Sequence, residues 1–184
     1  MKKIAIIYHT GFGHTKIQAE HVLQGLNKVT HIEAKIFTIN EAIDKIDTLE
    51  LYDALIFGSP TYMGSVSAQF KEFMDKSSTI WFGRKWQNKI AAAFTNSHSL
   101  SGDKLNCLIQ LNIFAMQHGM IWVGQAELNN SPEEDAGNEN AINRLGSFLG
   151  AMAQTENNLK MTQGDLLTAE KLGIRVAEIT KKLS

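Results

Sequence analysis

The sequence predicts an α/β domain, a parallel sheet with helices on both faces. Three observations lead there. Apolar runs of strand length alternate with segments whose apolar residues recur at helical spacing. Such alternation implies parallel pairing, because parallel strands need crossover connections, and right-handed crossovers place helices on both faces. Three of the loops that follow apolar runs, residues 9–15, 60–64 and 95–102, are polar or glycine-containing. All three would meet at the sheet edge where ligands bind in such folds.

The elements follow in order. Residues 3–8 are an uninterrupted apolar strand. After the turn Tyr8–Thr15, the residues Ile17, Ala19, Val22, Leu23, Leu26 and Val29 mark a helix from about His14 to Val29. Residues 32–37 are rich in β-branched and aromatic side chains and predict a second strand. Residues 40–51 predict a short amphipathic helix, and 52–57 a buried third strand that stops at Gly58-Ser59-Pro60-Thr61-Tyr62-Met63-Gly64. Val66, Phe70, Phe73 and Met74 mark the next helix face. Residues 89–94 predict the fourth strand, and 103–118 a helix stopped by Gly119. Met120–Val123 is the fifth strand. A polar stretch over 125–140 follows, with the acidic cluster Pro132–Asp135 read as a solvated loop. A closing helix spans about 165–183. No repeat, low-complexity tract or linker divides residues 1–184, so one domain is expected.

Composition narrows the class. The chain has 184 residues, a formal net charge of −1 and scattered Lys and Arg, which argues against nucleic acid or an anionic membrane as partner. The apolar start is too short for a signal peptide, no small-residue cleavage site follows it, and no run reaches transmembrane length. The single Cys107 excludes an intrachain disulfide framework and fits a reducing compartment. Cytoplasmic location is the expectation. Cys107 itself reads as buried and inert, and His21 and His31 lack partners at metal spacing.

The first turn carries the functional signal. Small and hydroxylated residues at the start of a helix leave backbone N–H groups free at the positive end of its dipole, a site for phosphate. Gly11-Phe12-Gly13-His14-Thr15 lacks the spacing and the Lys of a P-loop. Lys16 stands where a dinucleotide fingerprint needs its third glycine, and Thr38 where it needs an acid. No acidic cluster ends the first strand, and H-E-x-x-H, C-x-x-C and G-x-S-x-G are absent. What remains suits the phosphate of a mononucleotide, held by Thr10, Thr15 and the backbone of 11–14. A planar group would lie between the other two loops, packed on Tyr62 or Met63. Thr10 and Thr15 also suit plain helix caps. His14 suits phosphate binding or simple exposure equally. His118 suits a favourable cation at a helix C-terminus.

These residues resemble a known family. Tyr8–Thr15, Gly58–Lys71, Phe94–Gly102 and Gln117-His118-Gly119-Met120 look like the flavodoxin-like NAD(P)H:quinone oxidoreductases once called tryptophan-repressor-binding proteins. The resemblance covers the whole chain, is strongest over 3–123 and is weak across 125–160. It implies a five-stranded parallel sheet in the order 2-1-3-4-5, FMN as cofactor and NAD(P)H as co-substrate. It places Thr10, Gly11, Phe12, Gly13, His14 and Thr15 at the phosphate. Pro60, Thr61, Tyr62, Met63 and Gly64 fall at the flavin ring, and Thr95, Asn96, Ser97, His98, Ser99, Leu100 and Ser101 on the third flavin loop. Phe12 also matches the position that meets the nicotinamide, and Trp81 matches a Trp near the quinone. The chain departs from the family in three places. Its third loop is not glycine-rich. Gln117 replaces the first of two consecutive His, the one expected to face the flavin, and leaves His118 with Trp81 as the catalytic candidates. The late glycine-rich loop is replaced by Asn138–Thr155.

The expected activity is hydride transfer from NAD(P)H through flavin to a quinone in a ping-pong cycle, with the backbone amides of 95–101 stabilising the reduced ring. The apolar helix 103–118 fits a homodimer or homotetramer. Two other functions suit the same fold: an electron-carrying flavodoxin, and a protein-binding regulator. Charge near neutrality argues against the carrier, which typically docks through an acidic surface.

Overall fold

In a computed structural model, which describes residues 1–183, strands and helices alternate as the sequence predicts. The elements are β1 (Lys2–Tyr8), α1 (His14–Asn27), β2 (Ile32–Thr38), α2 (Ile39–Asp44), β3 (Ala54–Tyr62), β4 (Ser65–Val66), α3 (Ala68–Lys76), α4 (Ser78–Phe82), β5 (Ile90–Ser97), α5 (Lys104–Gln117), β6 (Ile121–Trp122), β7 (Ala151–Gln154) and α6 (Gln163–Lys182). The main path is β2-β1-β3-β5-β6, every pair parallel.

The sheet has seven strands, not the expected five, and its order differs in detail. β4 adds a short antiparallel pair to β3. The outer neighbour of β5 is divided between two segments. β6 pairs with Ile90 and Ala91 at the start of β5, and β7 pairs with Phe94–Ser97 at its end. Between them the chain leaves on a long excursion and returns to the same edge. Gly150 lets it come back, since a Cβ there would lie 2.3 Å from the Ala93 carbonyl.

β3 and β5 also run further than their apolar cores. Gly58 does not end β3. It is paired with Phe94, and a Cβ at 58 would collide with that ring at 2.2 Å. The glycine therefore makes room within the sheet. Pro60 lies beyond the last β1 pairing, at an edge position that tolerates proline. The extensions carry Thr61, Tyr62, Asn96 and Ser97 out to the edge where the site forms.

Alternate strand residues feed two cores. Ala5, Ile7, Leu55 and Phe57 pack with Phe70, Phe73, Trp86 and Phe114 on one face. Ile4, Ile6, Ile56 and Phe94 pack with Val22, Leu26, Leu172 and Val176 from α1 and α6 on the other. Those two helices meet backbone to backbone. A Cβ on Gly25 would lie 2.0 Å from the Glu170 carbonyl, and one on Gly173 2.2 Å from that of Val22. Gly25→Ala therefore forces the helices apart. The expected cost is about 1–3 kcal/mol, read as a lower urea midpoint with an unchanged m-value; an unchanged midpoint would show that the contact yields freely.

Candidate functional site

The three post-strand loops converge on a cleft of ≈ 260 Å³ lined by Gly11, Phe12, His14 and Thr15, by Pro60, Thr61 and Tyr62, and by Asn96, Ser97, His98 and Thr155. The first loop leaves its helix end without an internal cap. Gly13 holds the N-cap position at φ 98, a left-handed conformation that glycine adopts without strain, and no acidic residue occupies the first turn. The first helical bond runs from Ile17 N–H to the Gly13 carbonyl, so the N–H groups of His14 and Thr15 have no helical acceptor.

The Thr15 hydroxyl accepts from Asn96 Nδ2 at 3.0 Å, and Asn96 also donates to Gln18 Oε1 at 3.1 Å. Thr15 thereby keeps its own O–H hydrogen to donate, while Asn96 ties the first loop to the third. This donor set fits a phosphate: orphan N–H groups and a hydroxyl at a helix N-terminus with no competing carboxylate.

Not every expected residue faces the cleft. Thr10 is outside it, because its Oγ1 accepts from Gly13 N–H at 3.0 Å and braces the turn. His14 is neither free nor merely exposed; its Nε2–H donates to the Glu156 carbonyl at 2.8 Å. His98 Nδ1–H donates to the Thr155 carbonyl at 3.0 Å. The two histidines fasten residues 155–156 across the site. The Thr95 hydroxyl donates to the Ser59 carbonyl at 2.7 Å and lies 2.8 Å from that of Thr61, so both brace the floor. Tyr62 lies over Gly11, where a Cβ would sit 2.1 Å from its hydroxyl. Its ring meets Phe12 edge-on at 6.4 Å, and burial raises its pKa. Phe12 is exposed at the cleft, whereas Met63, exposed in a left-handed turn (φ 49), and the following Gly64 do not line it. Leu100 and Ser101 line a different, larger cavity of ≈ 840 Å³ against residues 129–152, and Ser99 lines neither.

Trp81, Gln117 and His118 lie elsewhere. They share a second cleft of ≈ 400 Å³ that has no lining residue in common with the first. Lys104 and the third loop stand at one end of α5, and Gln117 and His118 at the other. Fourteen helical residues separate the ends by about 20 Å. His118, a candidate catalytic residue or helix-terminal cation by sequence, lies outside the three-loop cleft. It is buried against Trp86, with ring centroids 4.4 Å apart, and against Phe114. The Ser77 hydroxyl donates to the Met74 carbonyl, so His118 Nε2–H donates to Ser77 Oγ at 2.9 Å. Nδ1 is then the bare nitrogen, and it has no partner.

Several site residues carry no motif. Thr155 joins the cleft through the unpredicted β7, Gln18 looks like one polar residue of an ordinary helix, and Lys104 looks like part of a solvated face. Among the described residues, no group of three or more His, Cys, Asp or Glu could hold a metal ion, and no helix is long and apolar enough to cross a membrane.

Burial, aided by the Arg84 cation, lowers the His118 pKa to about 4. In the unfolded chain it returns to about 6.5. Between those values the unfolded state binds the extra proton, so stability falls as pH drops from about 6.5 to about 4, by up to ~3 kcal/mol from this residue. His118→Asn should flatten that loss in urea titrations at pH 7, 5 and 4; parallel curves for variant and wild type would refute it.

A model of the NADPH-dependent FMN reductase family matches residues 27–134. Over its whole length the chain is 39% identical to flavodoxin FldP of Pseudomonas aeruginosa, covering 99% of that protein. It is 31% identical to an NAD(P)H dehydrogenase (quinone) of Archaeoglobus fulgidus, with 100% of both covered. The crystal structure of a WrbA-like flavodoxin from Agrobacterium tumefaciens matches it with a TM-score of 0.77 at 38% identity, again over 100% of both chains. With its parallel sheet and these similarities, the chain belongs to the NADPH-dependent FMN reductase family and has the flavodoxin-like fold.

Proposed function

We propose that the chain binds FMN in the three-loop cleft and transfers electrons from NAD(P)H to a quinone-type acceptor in a ping-pong cycle. The observation that carries this reading is the convergence of orphan amides, the Thr15 hydroxyl and the Asn96 bridge at one helix N-terminus, beside Tyr62 and the exposed Phe12 and Met63. Bound FMN would supply the redox chemistry, taking hydride from the nicotinamide and passing two electrons on. The chain's own residues bind and orient. The first-turn amides and Thr15 hold the phosphate. Tyr62, Phe12 and Met63 flank the ring and the space in which both substrates take their turn. Backbone amides of the loop over 95–101 would stabilise the negative charge of the reduced ring.

The acceptor residues require a second copy. Gln117 stands at the far end of α5 from the third loop, about 20 Å along the helix, and Trp81 of α4 shares the cleft of Gln117, separate from the three-loop cleft of the same chain. The outer face of α5 exposes Leu105, Ile109, Ile113 and Met116, an apolar strip suited to a homodimer or homotetramer. Ile113→Asp is expected to shift sedimentation toward the monomer and to depress quinone reduction while sparing FMN binding. A wild-type chain that sediments as a monomer and reduces quinone would refute the shared site.

The similarity to flavodoxin FldP favours one other reading, an electron carrier reduced by a partner enzyme. Anaerobic addition of NADH or NADPH to FMN-loaded protein separates the two. Direct bleaching of the flavin, followed by reoxidation with benzoquinone and parallel double-reciprocal lines, supports the enzyme. Bleaching only after a reductase is added supports the carrier.

A further inference from the structure

Lys104, the first residue of α5, is fully buried. A buried ammonium needs acceptors, and it has three. Nζ donates to Ser97 Oγ at 3.0 Å, to the Ser99 carbonyl at 2.7 Å and to the Leu100 carbonyl at 2.9 Å. Among the described residues no carboxylate forms an ion pair with it; Asp165 acts only from a distance. Burial and the Arg144 cation push its pKa down to about 8, so it still carries its proton at neutral pH.

The contact has a geometric consequence. In a trans peptide the C=O of one residue and the N–H of the next point in opposite directions, and no cis peptide occurs among the described residues. Drawing the carbonyls of Ser99 and Leu100 onto Nζ therefore turns the N–H groups of Leu100 and Ser101 away from it. Neither of those amides donates to another group among the described residues. Ser97, which supplies the first acceptor, lines the three-loop cleft. The positive charge thus sits one hydroxyl away from the cleft, behind the turn whose Ser99 and Leu100 carbonyls face it, while the free amides of Leu100 and Ser101 belong to the wall of the neighbouring larger cavity.

We propose that Lys104 is a positioning and charge-setting residue for the flavin: it fixes the path of the third loop through Ser97 and the Ser99 and Leu100 carbonyls, and its ammonium favours the reduced, negatively charged cofactor over the oxidised one. This rests on the FMN reading given above. It follows from the placement of one side chain that no motif marks.

Two variants separate the roles. Lys104→Met keeps a similar stem and removes both charge and donors; Lys104→Gln keeps a donor and removes the charge. FMN affinity is read by quenching of flavin fluorescence, and the two-electron midpoint by anaerobic equilibration with a reference dye. Lys104→Met should weaken oxidised FMN roughly tenfold and weaken reduced FMN roughly tenfold more, a midpoint drop of about 30 mV. Lys104→Gln should recover most of the affinity and keep the lowered midpoint. If Lys104→Met does not fold, Lys104→Gln alone decides: a lowered midpoint supports the proposal and an unchanged one overturns it. Wild-type affinity and midpoint in both variants would likewise overturn it. Failure of the wild-type protein to bind FMN would instead strike the cofactor reading.

Discussion

One buried ion pair decides the shape of everything after β6. Arg144 Nε and Nη2 grip the two carboxylate oxygens of Asp165 at 2.9 and 3.0 Å, with both side chains almost wholly out of solvent. Such a pair is costly to bury and survives only when its remaining hydrogen bonds are made. Here they are: Arg144 also donates to Thr162 Oγ1 and Gln154 Oε1, and Asp165 also accepts from Gln154 N–H. The partners come from the loop before β7, from β7 itself and from the first turn of α6. Losing either charge strands the other in the core, worth roughly 3–5 kcal/mol. Replacing the whole cluster with apolar residues would cost far less in stability but would remove the geometry that sets Thr155 on the cleft rim.

That dependence explains what the sequence discloses and what it hides. The strands over 3–8 and 52–57 are legible because burial on both faces demands continuous apolar runs, and α1 because its apolar residues keep helical spacing. The phosphate turn is legible because its chemistry is local: small residues, a hydroxyl and a helix start within a few positions. β7 is not. Ala151-Met152-Ala153-Gln154 has little strand propensity, and its pairing is set by the distant Arg144–Asp165 contact. Gly58 misleads for a related reason, since the need for glycine is set by the Phe94 ring across the sheet and not by a turn. His14 and His98 lie in the expected loops, but their partners are backbone carbonyls 142 and 57 residues away. Local pattern carries no information about such partners.

The same contrast appears at the two ends of α5. Each end buries a basic side chain, and their surroundings push them to opposite protonation states at neutral pH. His118 stands among aromatic rings with a single hydroxyl partner; burial takes its proton, although the C-terminus of a helix favours a cation. Lys104 stands at the N-terminus, where the helix dipole opposes a cation, yet three oxygens surround it and it keeps its proton. In both places the local set of acceptors outweighs the dipole. A dipole contributes typically 0.3–1 kcal/mol, whereas a hydrogen bond to a charged group is worth roughly 1.5–3 kcal/mol.

This ordering also bears on why a lysine is tolerated at so unfavourable a position. A neutral residue at 104 would relieve the conflict with the helix dipole and the cost of burying a charge. It would also leave the Ser99 and Leu100 carbonyls without their donor, in a loop with no glycine between Asn96 and Ser101 to re-route the backbone. A glycine-rich loop would reach such a backbone path through conformational freedom, at a cost in chain entropy. In this chain the residues from 97 to 101 are ordinary L-amino acids, and a single buried ammonium holds the Ser99 and Leu100 carbonyls to one side. The departure of the third loop from the family pattern and the burial of Lys104 are therefore two halves of one solution. Changing either alone should disturb the path of the third loop past Ser97.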